Sequence, residues 1–357
     1  MFVIVALRGS TSLKILIKST AISLFGLGHV SRMSCLARQL AGNEIYFQID
    51  CVTPINFKSE IEIDYHTIYE NKFPLPLSLE HLRRMNKAPS WSADLNKTME
   101  IIKNNNVDIV VCDLPAINQS WINEIRKCSF VVVFDDMPVT NIQADLIVNP
   151  NNARGFQLLY STFKNRNVLI GQEYNPVNQN YSQPQCNLKT KIEAVLVYMG
   201  SSVSLRTTTT IIKALIGIGK KIEYVGEHSD KLKKAFGNHI LFESKEFVQS
   251  FHSSLIVADI CIGACGVAYW ERCHHGVPSL ILKTAENQQK DIEYLLEKGA
   301  ILTISEDDIE GSIKESFGQL QSNPNLIVEL SKKSYSVVKN SYSTSVSDML
   351  IDCFNGR

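Results

Sequence analysis

The sequence predicts an α/β protein made of two Rossmann-like domains, each a parallel sheet wrapped by helices, facing a central cleft. Three observations predict it. Short β-branched segments are apolar throughout rather than alternating, which means burial on both faces and hence parallel strands covered by helices. Stretches of helical periodicity separate them. The alternation stops at a polar, aperiodic stretch near the middle of the chain and then restarts. The 357 residues suit two domains, since one domain takes roughly 100–200.

In the first half the strands are "LKILIKS" (13–19), "VDIVVCD" (107–113), "FVVVFDD" (130–136) and "DLIVNP" (145–150). "VSRMSCLARQLAGN" (30–43) reads as a helix closed by Gly42-Asn43. "SADLNKTMEIIKNNN" (92–106) reads as another, with Ser92 as its N-cap. The segment 171–191 is rich in Asn, Gln, Pro and Ser and reads as the linker. Beyond it, 193–200 and 221–226 read as strands around a helix at 208–219. A helix over 244–259 then leads into the strand and glycine loop of 260–265. A strand at 276–283, a helix at 287–299 and a terminal helix over 345–357 complete the order. The domains are placed at 13–175 and 190–342. Residues 1–12 read as an added strand or an over-extended start.

Composition narrows the function. Lys plus Arg equals Asp plus Glu at 36 each, so the chain has no broad electrostatic footprint for nucleic acid or anionic membrane. "MFVIVAL" is too short to span a bilayer and lacks the features of a signal peptide. A cytoplasmic protein without stable membrane insertion is expected. Nine scattered cysteines without a CxxC read as reduced thiols. No zinc spacing is present, His274 and His275 lack a third ligand, and no two of Asp113, Asp135 and Asp136 form a clear metal pair. Neither a metal nor a cofactor is expected.

Four stretches carry candidate chemistry. "GLGHVSR" (26–32) places Gly26 and Gly28 before His29, with Arg32 one turn into the helix. Glycines allow close backbone approach, a helix start offers free N–H groups to an anion, and a histidine there can take a proton from water. The third glycine of the dinucleotide fingerprint is missing, Ser31 standing in its place. His29 equally reads as a helix-start residue. "IGACGVAYWERCHHGVPSLILKTAENQ" (262–288) runs from a strand into the loop Gly263, Ala264, Cys265 and Gly266, then a short helix bearing Glu271. Such a loop can cradle a pyrophosphate, and a carboxylate one turn on suits paired ribose hydroxyls. The alternative is a tight βαβ connection with a solvated Glu-Arg pair. Asn287 and Gln288 open the next helix, facing the cleft or serving as caps. Asp113, Asp135 and Asp136 follow buried strands, where they support an acceptor or cap strand ends.

These stretches, in this order, resemble the nucleotide-sugar hydrolases of pseudaminic acid biosynthesis (the PseG/SpsG family), relatives of the MurG-type glycosyltransferases that share their GT-B fold. The resemblance runs from about Leu13 to about Lys298 and is most specific over 263–288. It implies hydrolysis, without a metal, of a UDP-linked 2,4-diacetamido-2,4,6-trideoxy hexose, with His29 activating water. It further implies that Gly263 to Gly266 face the phosphates, Glu271 the ribose, and Asn287 and Gln288 the sugar–phosphate region. Gly200 and Ser201 stand at the entrance to the second domain, in "MGSSVS". In GT-B proteins a last helix often packs back on the first domain. The chain departs from the family pattern at Pro115, where a tyrosine is usual, and at Ser202, where an aspartate is usual. It departs again at Cys265, usually glycine, whose side chain is expected to crowd a pyrophosphate, and at Val267, usually a hydroxyl residue. Hydrolysis, glycosyl transfer on the same scaffold, and nucleotide-sugar binding without turnover all remain readings of this sequence.

Overall fold

The computed structural model describes residues 12–21, 28–51, 67–72, 90–114, 117–136, 142–150, 167–176, 189–200, 203–246, 251–284, 288–338 and 345–356. Residues 1–11, Gly26, Pro115, Ser201, Ser202 and Asn287 lie outside that set.

The first sheet has seven parallel strands, β1 (Lys14–Ala21), β2 (Glu44–Cys51), β3 (Thr67–Lys72), β4 (Ile109–Asp113), β5 (Phe130–Phe134), β6 (Leu146–Asn149) and β7 (Val168–Ile170). Their spatial order is β3-β2-β1-β4-β5-β6-β7. Three helices accompany them, α1 (Gly28–Gln39), α2 (Ser90–Asn105) and α3 (Gln119–Ile125). The apolar strands are inside as their composition demands, with β4 and β5 buried at every position. Ile15, Ile17 and Val111 face one core layer, while Leu16, Val110 and Cys112 face the other.

α1 ends where its sequence says. Gly42 is left-handed at φ +97, and Asn43 ties the helix end to β1 by accepting from the Leu13 N–H at 3.0 Å and donating to the Leu40 carbonyl at 2.9 Å. α2 begins at Ser90, so Ser92 lies inside the helix and does not cap it. β2 and β3 escape sequence reading because "EIYFQIDC" and "TIYENK" mix charged and apolar residues. β1 also hides a charge. Lys18 is fully buried, its Nζ 2.8 Å from Asp94 and 3.3 Å from Asp50, which lets an amine sit inside an otherwise apolar layer.

The second sheet has six parallel strands, β8 (Ala194–Tyr198), β9 (Lys221–Val225), β10 (Phe242–Lys245), β11 (Ile260–Gly263), β12 (Ser279–Leu282) and β13 (Leu302–Ile304). Their order is β10-β9-β8-β11-β12-β13. Its helices are α4 (Leu205–Gly217), α5 (Ser229–Phe236), α6 (Phe251–Val257), α7 (Val267–His274), α8 (Gln289–Glu297), α9 (Ile309–Ser322) and α10 (Pro324–Val338). The expected helix over 244–259 is corrected. Residues 242–245 form edge strand β10, paired to β9 from Phe242↔Ile222 onward, and among the described residues of the stretch only Phe251–Val257 is helical. Phe242 is the one buried residue of β10, so the strand leaves no apolar run in the sequence.

The last helix, α11 (Val346–Asn355), opens on a reciprocal cap between Ser345 and Asp348. Val346 and Leu350 join the core of the first sheet, and Phe354 packs edge-on against Phe130 with ring centroids 5.8 Å apart. The chain therefore crosses back to its first domain after completing the second.

Candidate functional site

Each sheet has one point where the strand order reverses. In the first it lies between β1 and β4, in the second between β8 and β11. Loops leaving adjacent strands there diverge, and their carboxyl ends frame a crevice. Among the described residues, His29 and Asp113 lie at the first of these points, and Gly200 and Gly263 to Gly266 at the second.

On the first wall, His29 is the second residue of α1, the helix that follows β1, and Asp113 is the last residue of β4. The register Ser19↔Asp113 sets that carboxylate beside the end of β1. His29 Nδ1 lies 2.7 Å from Asp113 Oδ1. An ionised carboxylate only accepts, so Nδ1 carries the hydrogen, and in the neutral imidazole the lone pair is then on Nε2. Arg32, one turn later, donates from Nε to Asp113 Oδ2 at 3.0 Å and from Nη2 to Asp113 Oδ1 at 2.5 Å. Its fork also grips Asp136, with Nη1 to Oδ1 at 2.8 Å and Nη2 to Oδ2 at 2.9 Å. The guanidinium lies over the Phe134 ring at 5.2 Å.

The charges follow from this packing. Burial disfavours the Asp113 carboxylate, but Arg32 and His29 outweigh it and hold its pKa at about 2. Burial likewise opposes the His29 imidazolium, yet the charge and hydrogen bond of Asp113 win, and the pKa of His29 stands above that of an ordinary imidazole. Arg32 and Asp113, both among the candidate residues, are 3% and 0% exposed. Asp113 bonds to His29 and to Arg32, and Arg32 spends its fork on Asp113 and Asp136. Asp113 and Asp136, read from the sequence as separate strand-end groups, are joined through Arg32. Donor atoms of His29, Asp113 and Asp136 lie within 4.8 Å of one another, a spacing that could hold a metal ion. The Arg32 guanidinium makes two hydrogen bonds to each of these carboxylates.

On the second wall, β8 runs out to Gly200, left-handed at φ +75, and β11 runs into the loop before α7. The four loop residues do different work. A side chain at Gly263 would collide with the Arg272 guanidinium and the Tyr198 carbonyl, so this glycine serves close packing. Arg272 is fully buried, donating from Nη2 to the Ala264 carbonyl at 2.5 Å and from Nη1 to Cys261 Sγ at 3.4 Å. Cys265 is 4% exposed and packs with Tyr269, Trp270 and Cys273, so its thiol does not crowd the space above the loop as expected. A Cβ added at Gly266 would meet nothing within 4 Å among the described residues, and Gly266 is the N-cap of α7, its carbonyl accepting from the Tyr269 N–H at 2.9 Å.

Glu271 sits one turn into α7, half-buried, and burial lifts its pKa to about 7 against the pull of Arg272 and Arg38. Gln288 turns its amide back on Thr284, donating to Oγ1 at 3.1 Å and accepting from the backbone N–H at 3.2 Å. It thereby closes the entry to α8. His274 and His275 lie at the far end of α7, where burial pushes both down to about 4, and His275 Nε2 meets His252 Nδ1 at 2.9 Å.

One residue escaped sequence reading. Asp291 lies in the first turn of α8, is 9% exposed, and its Oδ1 has no hydrogen-bond partner. Burial and then the charge of Asp136 lift its pKa to about 7. Its spacing from Gln288, three residues along one helix, was the available signal.

The two walls meet. A Cβ at Gly28 would lie 3.6 Å from Val267 Cγ2, so the starts of α1 and α7 touch. Asp136 of the first domain acts on Asp291 of the second, and Arg38 of α1 acts on Glu271 of α7.

Comparison with known proteins agrees with this architecture. No family model matches the chain. The chain is 23% identical over 297 residues to an uncharacterised protein of Methanocaldococcus jannaschii; the match takes in 76% of the chain and 56% of that relative, so the chain spans little more than half of its length. Among solved structures it is similar to the calicheamicin glycosyltransferase CalG4, at 17% identity and a TM-score of 0.66, covering 98% of this chain and 99% of the other. It is also similar to Acinetobacter baumannii MurG, at 14% identity and a TM-score of 0.61, over 97% and 100% of the two chains. A putative UDP-N-acetylglucosamine 2-epimerase of Listeria monocytogenes aligns at 14% identity and a TM-score of 0.60, over 92% and 94%. The fold is that of the GT-B glycosyltransferases. None of the described helices is long and apolar enough to cross a membrane.

Proposed function

We propose that the chain is a nucleotide-sugar-dependent glycosyltransferase in which His29 takes the proton of an acceptor hydroxyl as that oxygen attacks the anomeric carbon. The observation that carries this reading is the His29–Asp113 pair, 2.7 Å apart, at the reversal point of the first sheet. Asp113 fixes the tautomer, leaving Nε2 as the base, and stabilises the imidazolium once the proton has moved. The nucleotide diphosphate is a good leaving group. Positioning and backbone donors at Gly266 and the start of α7 then suffice for its departure. Glu271 holds the ribose hydroxyls, and UDP is the nucleotide we assign. The two similar glycosyltransferase structures support transfer.

A second reading keeps the same machinery with water as the acceptor. The stretch 263–288, with its resemblance to hydrolases of a UDP-linked diacetamido-trideoxy hexose, favours it. One experiment separates the two. The protein is incubated with UDP-N-acetylglucosamine and with the UDP-diacetamido sugar, with and without a panel of sugar and lipid-linked acceptors. UDP and sugar products are followed by NMR. UDP release that requires an acceptor and vanishes in His29→Ala supports transfer. Release without acceptor, equally lost in His29→Ala, supports hydrolysis. Tight binding of both sugars with no release under any condition refutes both.

A further inference from the structure

The chain leaves its first domain through a short turn after β7. Pro176 is the last described residue on that side. The next, Lys189, is bound to the second domain, its Nζ 3.1 Å from the Val257 carbonyl and 3.3 Å from that of Ala258. The return crossing, between α10 and α11, ends on the core layer that the turn itself joins: Tyr174 packs there with Val346 and Leu350. Two features set the turn apart. Gly171 stands at φ 133 and ψ 164, a backbone region that only glycine occupies at low cost. Its N–H donates to the Asn149 carbonyl at the end of β6 at 2.9 Å, so the strand side of the joint is held and the chain beyond it turns about the glycine. Past Gly171, Gln172 and Asn175 are 3% and 7% exposed, yet Nε2 and Oε1 of Gln172 and Oδ1 of Asn175 meet no hydrogen-bond partner. Buried amides are normally matched, because an unmatched one forfeits its bonds to water without replacement.

We propose that Gly171–Asn175 is the hinge between the domains, and that the Gln172 and Asn175 amides, desolvated in the arrangement seen here, hold the ligand-free protein toward a more open one in which solvent meets them. The arrangement seen here is a closed one, since a Cβ at Gly28 would stand 3.6 Å from Val267 Cγ2 and the starts of α1 and α7 touch. A few backbone dihedrals at the end of an element are enough for two rigid domains to swing apart. Gly171 is the residue of the turn with the widest choice of them. Opening relieves the unmet amides while both cores stay intact, so their cost falls on closure rather than on folding. Each unmet group shifts the ratio of closed to open protein by roughly 5- to 150-fold. A ligand that bridges the two walls must offset that bias, so the His29–Asp113 pair is brought against the second wall by the ligand and not before it.

The test is small-angle X-ray scattering of the ligand-free full chain, with thermal melting alongside, on wild type, Gln172→Leu and Gly171→Ala. Gln172→Leu removes the amide at similar volume. It is expected to narrow the pair-distance distribution and bring the radius of gyration down towards the value calculated for this structure. Gly171→Ala is expected to move both the other way, because alanine is strained at φ 133 and gains by leaving that region. Gln172→Met carries the same test if Gln172→Leu does not fold. A Gln172→Leu chain that melts higher but scatters as wild type overturns the proposal, because the amide then burdens the fold and not the closure. One that neither melts nor scatters differently also overturns it, because the amide is then satisfied where it lies. Gly171→Ala scattering as wild type removes the hinge from this turn. None of these outcomes depends on which nucleotide or acceptor the cleft takes, so the proposal and the transferase reading fail separately.

Discussion

Replacing Asp113 by Asn tests the centre of the first wall. Three donors converge on this buried carboxylate, His29 Nδ1–H and the Arg32 Nε–H and Nη2–H. An amide offers one acceptor atom and turns its NH2 against one of those donors. The magnitude follows from the carboxyl's pKa of about 2 in the fold against an ordinary 3.8. That gap is worth about 2 kcal/mol of stability at neutral pH. Leaving Arg32 short of an anion in a buried site raises the expected loss to roughly 2–5 kcal/mol. The sign is fixed by the depressed pKa. The stabilisation is complete above the unfolded carboxyl's value, and it drains away as pH falls from about 4 through about 2. Urea denaturation of the wild-type and Asp113→Asn chains, followed by circular dichroism at pH 7 and at pH 3, measures this. The difference should be large at pH 7 and visibly smaller at pH 3. A penalty below about 0.5 kcal/mol at pH 7, the size of an ordinary surface change, would falsify the buried three-donor arrangement. A penalty independent of pH would remove the electrostatic account of it.

Three further outcomes are expected. UDP release should rise with pH to a plateau, because His29 must be neutral to accept a proton; its midpoint should lie above that of an ordinary imidazole and move down in Asp113→Asn, where the anion that raises it is gone. Gly263→Ala should cost about 1–3 kcal/mol, since a Cβ there meets the Arg272 guanidinium and the Tyr198 carbonyl, whereas Gly266→Ala should leave the melting temperature unchanged and weaken UDP binding measured by calorimetry. Asp291→Asn should stabilise the protein by roughly 2–4 kcal/mol at pH 8 and by little at pH 4, because a carboxyl raised to about 7 costs stability only as it is forced to ionise; equal melting temperatures at pH 8 would count against a buried, unpartnered Asp291.

How much of this the sequence could carry depends on the kind of interaction. Strands β4, β5, β6, β8 and β11 are legible because burial on both faces demands an uninterrupted apolar run, and β1 is legible from its Ile15-Leu16-Ile17 core despite Lys18. β2 and β10 are not, since Gln48 and Asp50 in one, and three partly exposed residues in the other, break that run. The stop after α1 was readable from Gly42-Asn43, a local matter of backbone conformation. The start of α2 was misplaced because Ser92 had the chemistry of a cap without its position.

The site divides along the same line. Its address, a histidine after a glycine turn and a small-residue loop before a short helix, was written in contiguous residues. The partners were not. Arg32 and Asp113 are 81 residues apart and Arg32 and Asp136 are 104 apart, so their union exists only once β1, β4 and β5 lie side by side. Cys265 looked like an obstacle in the loop, and packing turned it into core. Asp291 looked like an ordinary helix acid, and burial made it a carboxyl with an unmet oxygen. The two-domain α/β plan, and the places on it where chemistry falls, follow from residue order, because strand burial, helix periodicity and glycine turns are properties of neighbours along the chain. Which charges pair, which stay neutral and which side chains face the cleft follow from the packed fold. Those depend on desolvation and on distances between residues that the chain order keeps far apart.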